Sequence, residues 1–197
     1  MVLQEGMQPN LRPKQIGLLI IDMINELKFD GAQDLLPCIR ETARNIAKLK
    51  DRMKVEQLPI VYVNDNFGRW KSDFRTLVSR CLEEDENAKS VVQLLMPRQD
   101  DYFVLKPKHS GFYATPLDLL LEHLGVRRLI LTGLLGNNCV LYTAADAYMR
   151  GYEIFLPSDC MLSFNQEANR VALEQMKGTL NAVISTSDKV LVDAARD

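Results

Sequence analysis

Short hydrophobic runs alternate along the chain with longer segments whose hydrophobic positions recur at helical spacing. The short runs are typical of strands because polar or turn-forming residues bound them; they are 17–22, 60–63, 101–105, 128–132, 152–157 and 182–185. The helical segments are 35–54, 73–83, 87–95, 115–123, 139–151 and 165–180, followed by a short last helix. This alternation predicts a three-layer α/β/α domain with a six-stranded, mostly parallel, Rossmann-like sheet.

The length of the chain favours one domain. A chain of 197 residues can bury a substantial single core, and we expect residues 15–197 to form it. Residues 1–14, MVLQEGMQPNLRPK, are polar and lack the apolar core of a signal peptide, so we expect a flexible N-terminal arm. No apolar run reaches the length needed to cross a membrane.

Composition excludes several classes of partner. The net charge is −2, and no block of like charges favours nucleic acid or a membrane surface. Four well-separated cysteines form no CxxC pair, which argues against structural zinc and favours a reducing compartment; they are Cys38, Cys81, Cys139 and Cys160. We therefore expect a cytoplasmic protein that acts on a small molecule.

The segment 128–151 places a cysteine where a strand gives way to a helix. The strand ends at Thr132, a tight turn spans 133–138, and the predicted helix begins near Cys139 and stops at Gly151. Free N–H groups and the positive end of a helix dipole favour a thiolate at such a position. The alternative is that Cys139 is a small buried hydrophobic residue.

Three predicted strands end in residues that can take part in catalysis: Asp22, Lys106 and Cys139. Because the carboxyl ends of parallel strands meet at one edge of a sheet, we expect these side chains to lie together there. The lysine would favour the thiolate, and the acid would orient the lysine or accept the thiol proton. The alternatives are a turn cap, a solvated lysine and a core cysteine.

Three sequence blocks resemble a known family. They are LLIIDMIN at 18–25, VYVND at 61–65, and KPKHSGFYATPLDLLLEHLGVRRLILTGLLGNNCV at 106–140. From about residue 16 to 187 the chain resembles the isochorismatase-like cysteine hydrolase superfamily, which includes nicotinamidases, N-carbamoylsarcosine amidases and ureidoacrylate amidases. The resemblance implies an isochorismatase-like hydrolase fold, a homo-oligomer and no organic cofactor.

The resemblance also assigns residues to roles. The catalytic Asp, Lys and Cys of the family fall on Asp22, Lys106 and Cys139. A non-proline cis peptide of the family would join Leu134 to Leu135, and the N–H groups of Leu135 and Cys139 would form the oxyanion hole.

The chain departs from the family in ways that concern metals and substrates. Nicotinamidases hold a divalent metal through an acid and histidines after the second strand, but here 64–74 reads NDNFGRWKSDF, without histidine. The only histidines are His109 and His123, so we expect no metal site. Gly136 and Asn169 stand where relatives often have threonine and histidine, which leaves the substrate open.

Polar and aromatic residues near the strand ends are the candidates for binding substrate: Asn25, Asn66, Trp70, Phe112 and Tyr113. Arg69 is a candidate partner for a substrate carboxylate, and His109 is a candidate for the pocket wall. Trp70 has two alternatives, packing beneath its loop or contact with another subunit.

The sequence favours hydrolysis of a small amide or carbamoyl compound through a thioester on Cys139. A second hypothesis is isochorismate-type vinyl-ether hydrolysis, which needs Asp22 but not the cysteine. A third is a non-catalytic binding module on the same scaffold. Replacing Cys139 with alanine distinguishes the first two hypotheses. A catalytic thiol is also expected to react with iodoacetamide at a pH well below that needed by an ordinary thiol, whose pKa is about 8.5.

Overall fold

Seven strands and seven α-helices account for most of residues 15–71, 73–83 and 85–196, which are the residues that this computed structural model describes. The strands are β1 (Ile16–Ile21), β2 (Ile60–Asp65), β3 (Tyr102–Lys106), β4 (Arg128–Leu134), β5 (Glu153–Pro157), β6 (Met161–Leu162) and β7 (Val183–Ser185). The helices are α1 (Ala32–Val55), α2 (Phe74–Glu83), α3 (Glu86–Leu94), α4 (Leu117–His123), α5 (Leu141–Met149), α6 (Gln166–Leu180) and α7 (Val190–Ala195). The predicted arm, 1–14, lies outside the described residues.

The strands form one sheet in the order β3-β2-β1-β4-β5-β7, with β6 beside the end of β4. Each pairing between these strands is parallel, which confirms the predicted α/β architecture. The prediction of six strands missed β6, because its two residues are too few to form a pattern. They pair with Gly133 and Leu134, where β4 continues past its predicted end.

Helices cover both faces of the sheet. One core cluster packs α1, α2, α3 and α7 against one face, and a second packs α4, α5 and α6 against the other. Alternate residues of β1 serve the two clusters, so that Leu18 and Ile20 point one way and Leu19 and Ile21 the other. This double coverage explains why β1 is a continuous hydrophobic run.

The central strands β1 and β4 approach closely at their carboxyl ends. Gly133 pairs with Ile21, and a Cβ atom on Gly133 would lie only 2.0 Å from the Ile21 carbonyl oxygen. Its φ of +113° is also one that other residues rarely adopt. Glycine at this position therefore lets the ends of the two strands lie side by side.

Within the described ranges, no helix has the combination of length and apolar character needed to span a bilayer.

Candidate active site

The candidate site lies at the carboxyl edge of the sheet, where the strand order reverses between β1 and β4. Asp22 follows β1, Lys106 ends β3, and Cys139 lies in the turn after β4. Ligands of open α/β sheets bind in the crevice at this kind of reversal. A cavity of about 490 Å³ opens there. Its wall is formed by Asp22, Asn25, Glu26, Lys28, Phe29, Asp65, Phe67, Arg69, His109, Leu134, Leu135, Asn138, Cys139 and Phe164.

Lys106 joins the acid to the thiol. Its Nζ lies 2.8 Å from Asp22 Oδ2 and donates a hydrogen bond to Cys139 Sγ at 3.5 Å. Asp65 Oδ2 lies 3.8 Å from the same ammonium. The side chain of Lys106 has no exposed surface, so its charge is held by these neighbours rather than by water.

The carboxylate of Asp22 is fixed at both oxygens. One oxygen pairs with Lys106, and the other accepts a 2.7 Å hydrogen bond from the backbone N–H of Asp65. The backbone of Asp22 has a φ of +52°, and its N–H donates to the Val63 carbonyl. The acid therefore sits where β1 leaves the sheet, held by the end of β2.

Cys139 lies in a single π-helical turn, Gly136–Val140, that precedes α5. The predicted helix start near Cys139 falls within this turn, three residues after its first residue and two before α5 begins at Leu141. The Leu135 carbonyl accepts hydrogen bonds from the N–H groups of Asn138 and Val140 at 2.9 and 3.1 Å. The peptide bond between Leu134 and Leu135 is cis.

A polar brace, formed by Ser163 and Asn169, holds the start of this turn. Ser163 Oγ accepts a 3.1 Å hydrogen bond from the N–H of Asn137 and donates one of 3.1 Å to Asn169 Oδ1. Asn169 Nδ2 donates to the Met161 carbonyl at 3.3 Å. A Cβ atom on Gly136 would lie 2.7 Å from Asn169 Oδ1, so the position of the Asn169 side chain requires glycine at position 136.

Burial and neighbouring charges set the protonation of the site. Burial raises the pKa of the Asp22 carboxyl, although Lys106 and a hydrogen bond with Cys139 oppose that rise. Burial would lower the pKa of Lys106, but the charges of Asp22 and Cys139 outweigh it and raise that pKa. Burial, followed by the charge of Asp22, raises the pKa of the Cys139 thiol to about 12.

This raised pKa opposes the expectation of a readily formed thiolate. The helix dipole and Lys106 both favour the thiolate, but burial and Asp22 together outweigh them. The resting site holds Cys139 as a thiol, beside a carboxylate that can accept its proton.

Comparison with known proteins identifies the family. The model of the isochorismatase domain family matches residues 17–188. The chain belongs to the isochorismatase family. The uncharacterized isochorismatase family protein YaaI of Bacillus subtilis (strain 168) is 41% identical over 175 residues, which cover 89% of this chain and 96% of that protein.

Solved structures agree with this assignment. An isochorismatase-like hydrolase from Alkaliphilus metalliredigens is 26% identical with a TM-score of 0.71, over 91% of this chain and 98% of that one. N-carbamoylsarcosine amidase from Thermoplasma acidophilum is also 26% identical, with a TM-score of 0.66, over 88% and 97%. The predicted isochorismatase-like fold is confirmed.

Only one of the five substrate-binding candidates lines the cavity of this isochorismatase-family protein, namely Asn25. Asn66 instead closes its own turn by accepting a hydrogen bond from the Gly68 N–H. Trp70 and Tyr113 are 79% and 58% exposed and lie outside the cavity wall. Phe112 is buried and packs against Tyr152, with ring centroids 5.9 Å apart.

The cavity wall also contains residues that the sequence interpretation did not single out. Phe29 and Phe164 meet edge to face, with ring centroids 6.1 Å apart, from the segments after β1 and β6. Glu26 and Lys28 follow Asp22 closely, and this proximity to a strand end was the only signal in the sequence. Asp65, Phe67 and Asn138 complete this set.

Arg69 and His109, the two residues with an open role, both line the cavity. His109 Nδ1 lies 3.8 Å from Cys139 Sγ, and its ring stacks on Tyr142 with centroids 5.5 Å apart. Arg69 Nη1 lies 2.5 Å from Glu26 Oε1.

The residues after β2 do not fit the metal site of nicotinamidases. Among the described residues, no group of three or more His, Cys, Asp and Glu side chains is arranged to hold a metal ion. Position 67, between Asn66 and Gly68, carries phenylalanine, and Arg69 supplies a fixed positive charge to the same stretch.

Proposed function

We propose that this isochorismatase-family protein hydrolyses a small amide or carbamoyl compound through a thioester on Cys139. The observation that carries the proposal is the position of Lys106 Nζ, 2.8 Å from the Asp22 carboxylate and 3.5 Å from Cys139 Sγ. A binding module has no need of a buried lysine that joins an acid to a thiol at the edge of a cavity.

In the first half of the proposed reaction, Asp22 accepts the Cys139 proton as sulfur attacks the carbonyl carbon. The high pKa of the thiol means that this transfer accompanies the attack rather than preceding it. Asp22 then returns the proton to the leaving nitrogen, and the C–N bond breaks to release ammonia or an amine. The acyl group remains on sulfur as a thioester.

In the second half, water attacks the thioester carbonyl while Asp22 accepts a proton from that water. The C–S bond breaks, the acid product leaves, and sulfur recovers the proton from Asp22. Lys106 keeps its charge throughout, since its pKa is raised, and it compensates the negative charge that passes between Asp22 and sulfur.

The oxyanion formed in each half requires hydrogen-bond donors beside the sulfur. Leu135 and Cys139 both line the cavity, and we propose their backbone N–H groups as these donors. The names of relatives agree with this chemistry, because one solved structure of similar fold is an N-carbamoylsarcosine amidase.

The test is ammonia release from a panel of small amides and carbamoyl compounds, and pyruvate release from isochorismate, with the wild type and Cys139→Ala. We expect at least one amide or carbamoyl compound to release ammonia, and Cys139→Ala to lower that rate at least about 10³-fold. Cys38→Ala is the matched control, because Cys38 is exposed and is not part of the cavity wall.

Two outcomes would overturn the proposal. Conversion of isochorismate that survives Cys139→Ala but not Asp22→Asn would assign vinyl-ether hydrolysis instead. Binding of panel compounds without turnover of any of them would favour the non-catalytic module.

A further inference from the structure

Three positively charged side chains converge on one carboxylate in the cavity wall. Glu26 is only 8% exposed, and its oxygens lie 2.5 Å from Arg69 Nη1, 3.0 Å from Lys28 Nζ and 3.4 Å from Arg80 Nη1. Burial alone would raise the pKa of Glu26, but hydrogen bonds from Lys28 and Arg69 outweigh it and lower that pKa. Glu26 is therefore ionised, and it acts as an anchor for the cations around it.

Two of these cations face the cavity. Lys28 and Arg69 both line it, and the Arg69 side chain remains 42% exposed while it is held by Glu26. A guanidinium has five donors in a planar fork, so one contact with Glu26 leaves donors that can meet a second carboxylate. With one negative and two positive charges, this part of the wall carries a net positive charge.

The loop that carries Arg69 is tied directly to the catalytic candidates. Asp65 donates its N–H to Asp22 and accepts a hydrogen bond from the N–H of Phe67 at 2.6 Å. The Arg69 N–H then donates to the Asn66 carbonyl at 2.9 Å. These bonds fix Arg69 relative to Asp22, so the distance between a group bound at Arg69 and the carbonyl attacked by Cys139 is set by the fold.

The charges near the sulfur and near Arg69 differ. Beside the sulfur, the charge of Lys106 is compensated by Asp22, with Asp65 nearby. Around Glu26, Lys28 and Arg69 outnumber the single carboxylate. A substrate that carries both groups would therefore place its uncharged amide at the sulfur and its anionic group at Arg69.

We propose that Arg69 and Lys28 form a carboxylate-binding subsite and that Glu26 is its positioning residue. The substrate class is then an amide or carbamoyl compound that carries a carboxylate a few bonds from the scissile carbonyl. Assigning the bound carboxylate to a substrate rests on the proposed function, but the subsite itself does not.

The first experiment measures binding without turnover. Calorimetric titration of Cys139→Ala compares malonamate, succinamate and glutaramate, each with one amide and one carboxylate, with the diamides of the same length, which lack charge. We expect at least one of these monoamides to bind about tenfold or more tightly than its diamide, as a charged hydrogen bond predicts. Equal binding of every pair, or no binding of any monoamide, would overturn the subsite.

The second experiment identifies the residues. In the Cys139→Ala background, Arg69→Met should remove the preference for the monoamide over its diamide, and Arg69→Lys should restore part of it. Arg170→Met is the matched control, because Arg170 is an exposed arginine on α6 that also pairs with glutamates, Glu167 and Glu174. An unchanged preference in Arg69→Met would contradict the assignment.

The third experiment uses turnover in the otherwise unmodified protein. For the monoamide that binds, Arg69→Met should raise KM about tenfold or more and change kcat little, while a neutral amide is unaffected. A loss for both substrates alike would instead indicate a structural role. Binding of the monoamide without its turnover would leave the subsite standing and remove the proposed function, and turnover without discrimination would do the reverse.

Discussion

At the scale of single residues, Asp22 has two effects on Cys139 that oppose each other. Its negative charge raises the pKa of the thiol, which makes the resting sulfur less nucleophilic. Its carboxylate, hydrogen-bonded to that thiol, is also the base that can remove the proton during attack. The reactivity of the sulfur towards simple electrophiles and its activity towards amides should therefore change in opposite directions when Asp22 is replaced.

Replacing Asp22 with asparagine should make Cys139 more reactive towards iodoacetamide while abolishing amide hydrolysis. Without the carboxylate, the charge of Lys106 remains and favours the thiolate. We expect the alkylation rate of Cys139 at pH 8 to rise at least about tenfold, since each pKa unit changes the thiolate fraction tenfold. Mass spectrometry of the peptide that contains Cys139 measures this rate.

Cys38 is the internal control for this measurement, because it is exposed and its alkylation should be the same in both proteins. Slower alkylation of Cys139 in Asp22→Asn would mean that Asp22 promotes the thiolate at rest, contrary to the assigned role.

The sequence located the catalytic candidates better than the residues that surround them. Asp22 and Lys106 were predictable because a buried run of hydrophobic residues that stops at a charged residue marks a strand end. Phe112 was not, because its burial depends on the Gly111 N–H donating to Thr143 Oγ1, a contact between segments 32 residues apart. Glu26 gave only the weak signal of its nearness to the end of β1, because its role depends on Arg69, which the sequence places 43 residues away.

At the scale of structural elements, the π turn that carries Cys139 is held from outside by β6 and α6. Ser163 and Asn169 fix its first residues, and Thr143 Oγ1 donates to the Cys139 carbonyl at 2.7 Å from within α5. The hydrophobic pattern could not distinguish this turn from an ordinary helix start, because the two differ in hydrogen bonding over only a few residues.

Gly136→Ala should lower both stability and activity. The new methyl carbon would lie 2.7 Å from Asn169 Oδ1 and 2.9 Å from Ser163 Oγ, so the turn or the brace must move. We expect a loss of about 1–3 kcal/mol in the free energy of unfolding and a fall in kcat/KM of at least about tenfold. Urea denaturation and the amide assay measure the two effects.

Gly178→Ala is the control, since the Cβ position of Gly178 in α6 is open and alanine there should be neutral or slightly stabilising. Combining Gly136→Ala with Asn169→Ala should cost less than the sum of the two changes, because the second removes the atom that clashes. Strict additivity would show that the two positions are not coupled.

At the scale of the whole molecule, the two ends of the parallel strands have different roles. The cavity lies at their carboxyl ends (the carboxyl edge of the sheet), whereas a buried polar cluster around Lys50 lies at their amino ends (the amino edge). Lys50 Nζ contacts Asp101 Oδ2 at 2.8 Å and donates to Tyr62 Oη and the Met96 carbonyl at 2.7 Å each. Asp101 directly precedes β3, which ends at Lys106, so about 17 Å of strand separates Asp101 from Lys106.

Lys50→Met should therefore destabilise the protein without changing its chemistry. Without the ammonium, the buried polar groups of Tyr62, Met96 and Asp101 each lose their contact with Lys50. We therefore expect a loss of about 3 kcal/mol in the free energy of unfolding. Urea denaturation measures this loss, and kcat/KM of the folded variant should stay within about twofold of the wild type. Lys48→Met, on the exposed side of the same helix, is the control.

An unchanged unfolding free energy in Lys50→Met, or a large fall in kcat/KM, would contradict this division between the two edges.

The sequence predicted the parallel sheet, since that follows from the alternation of strands and helices. It could not predict this cluster, because a lysine on the buried face of α1 gives no sign of its partners, and the Met96 carbonyl that Lys50 contacts lies 46 residues further along the chain.

The central claim, a thioester on Cys139, is tested most directly by trapping it with hydroxylamine. An amide and a methyl ester that share one acyl group would form the same acyl-enzyme, which then partitions between water and hydroxylamine. The account predicts hydroxamate and acid in the same ratio from both substrates at each hydroxylamine concentration. Ratios that differ between the two substrates, or turnover with no hydroxamate from either, would contradict a common covalent intermediate on Cys139.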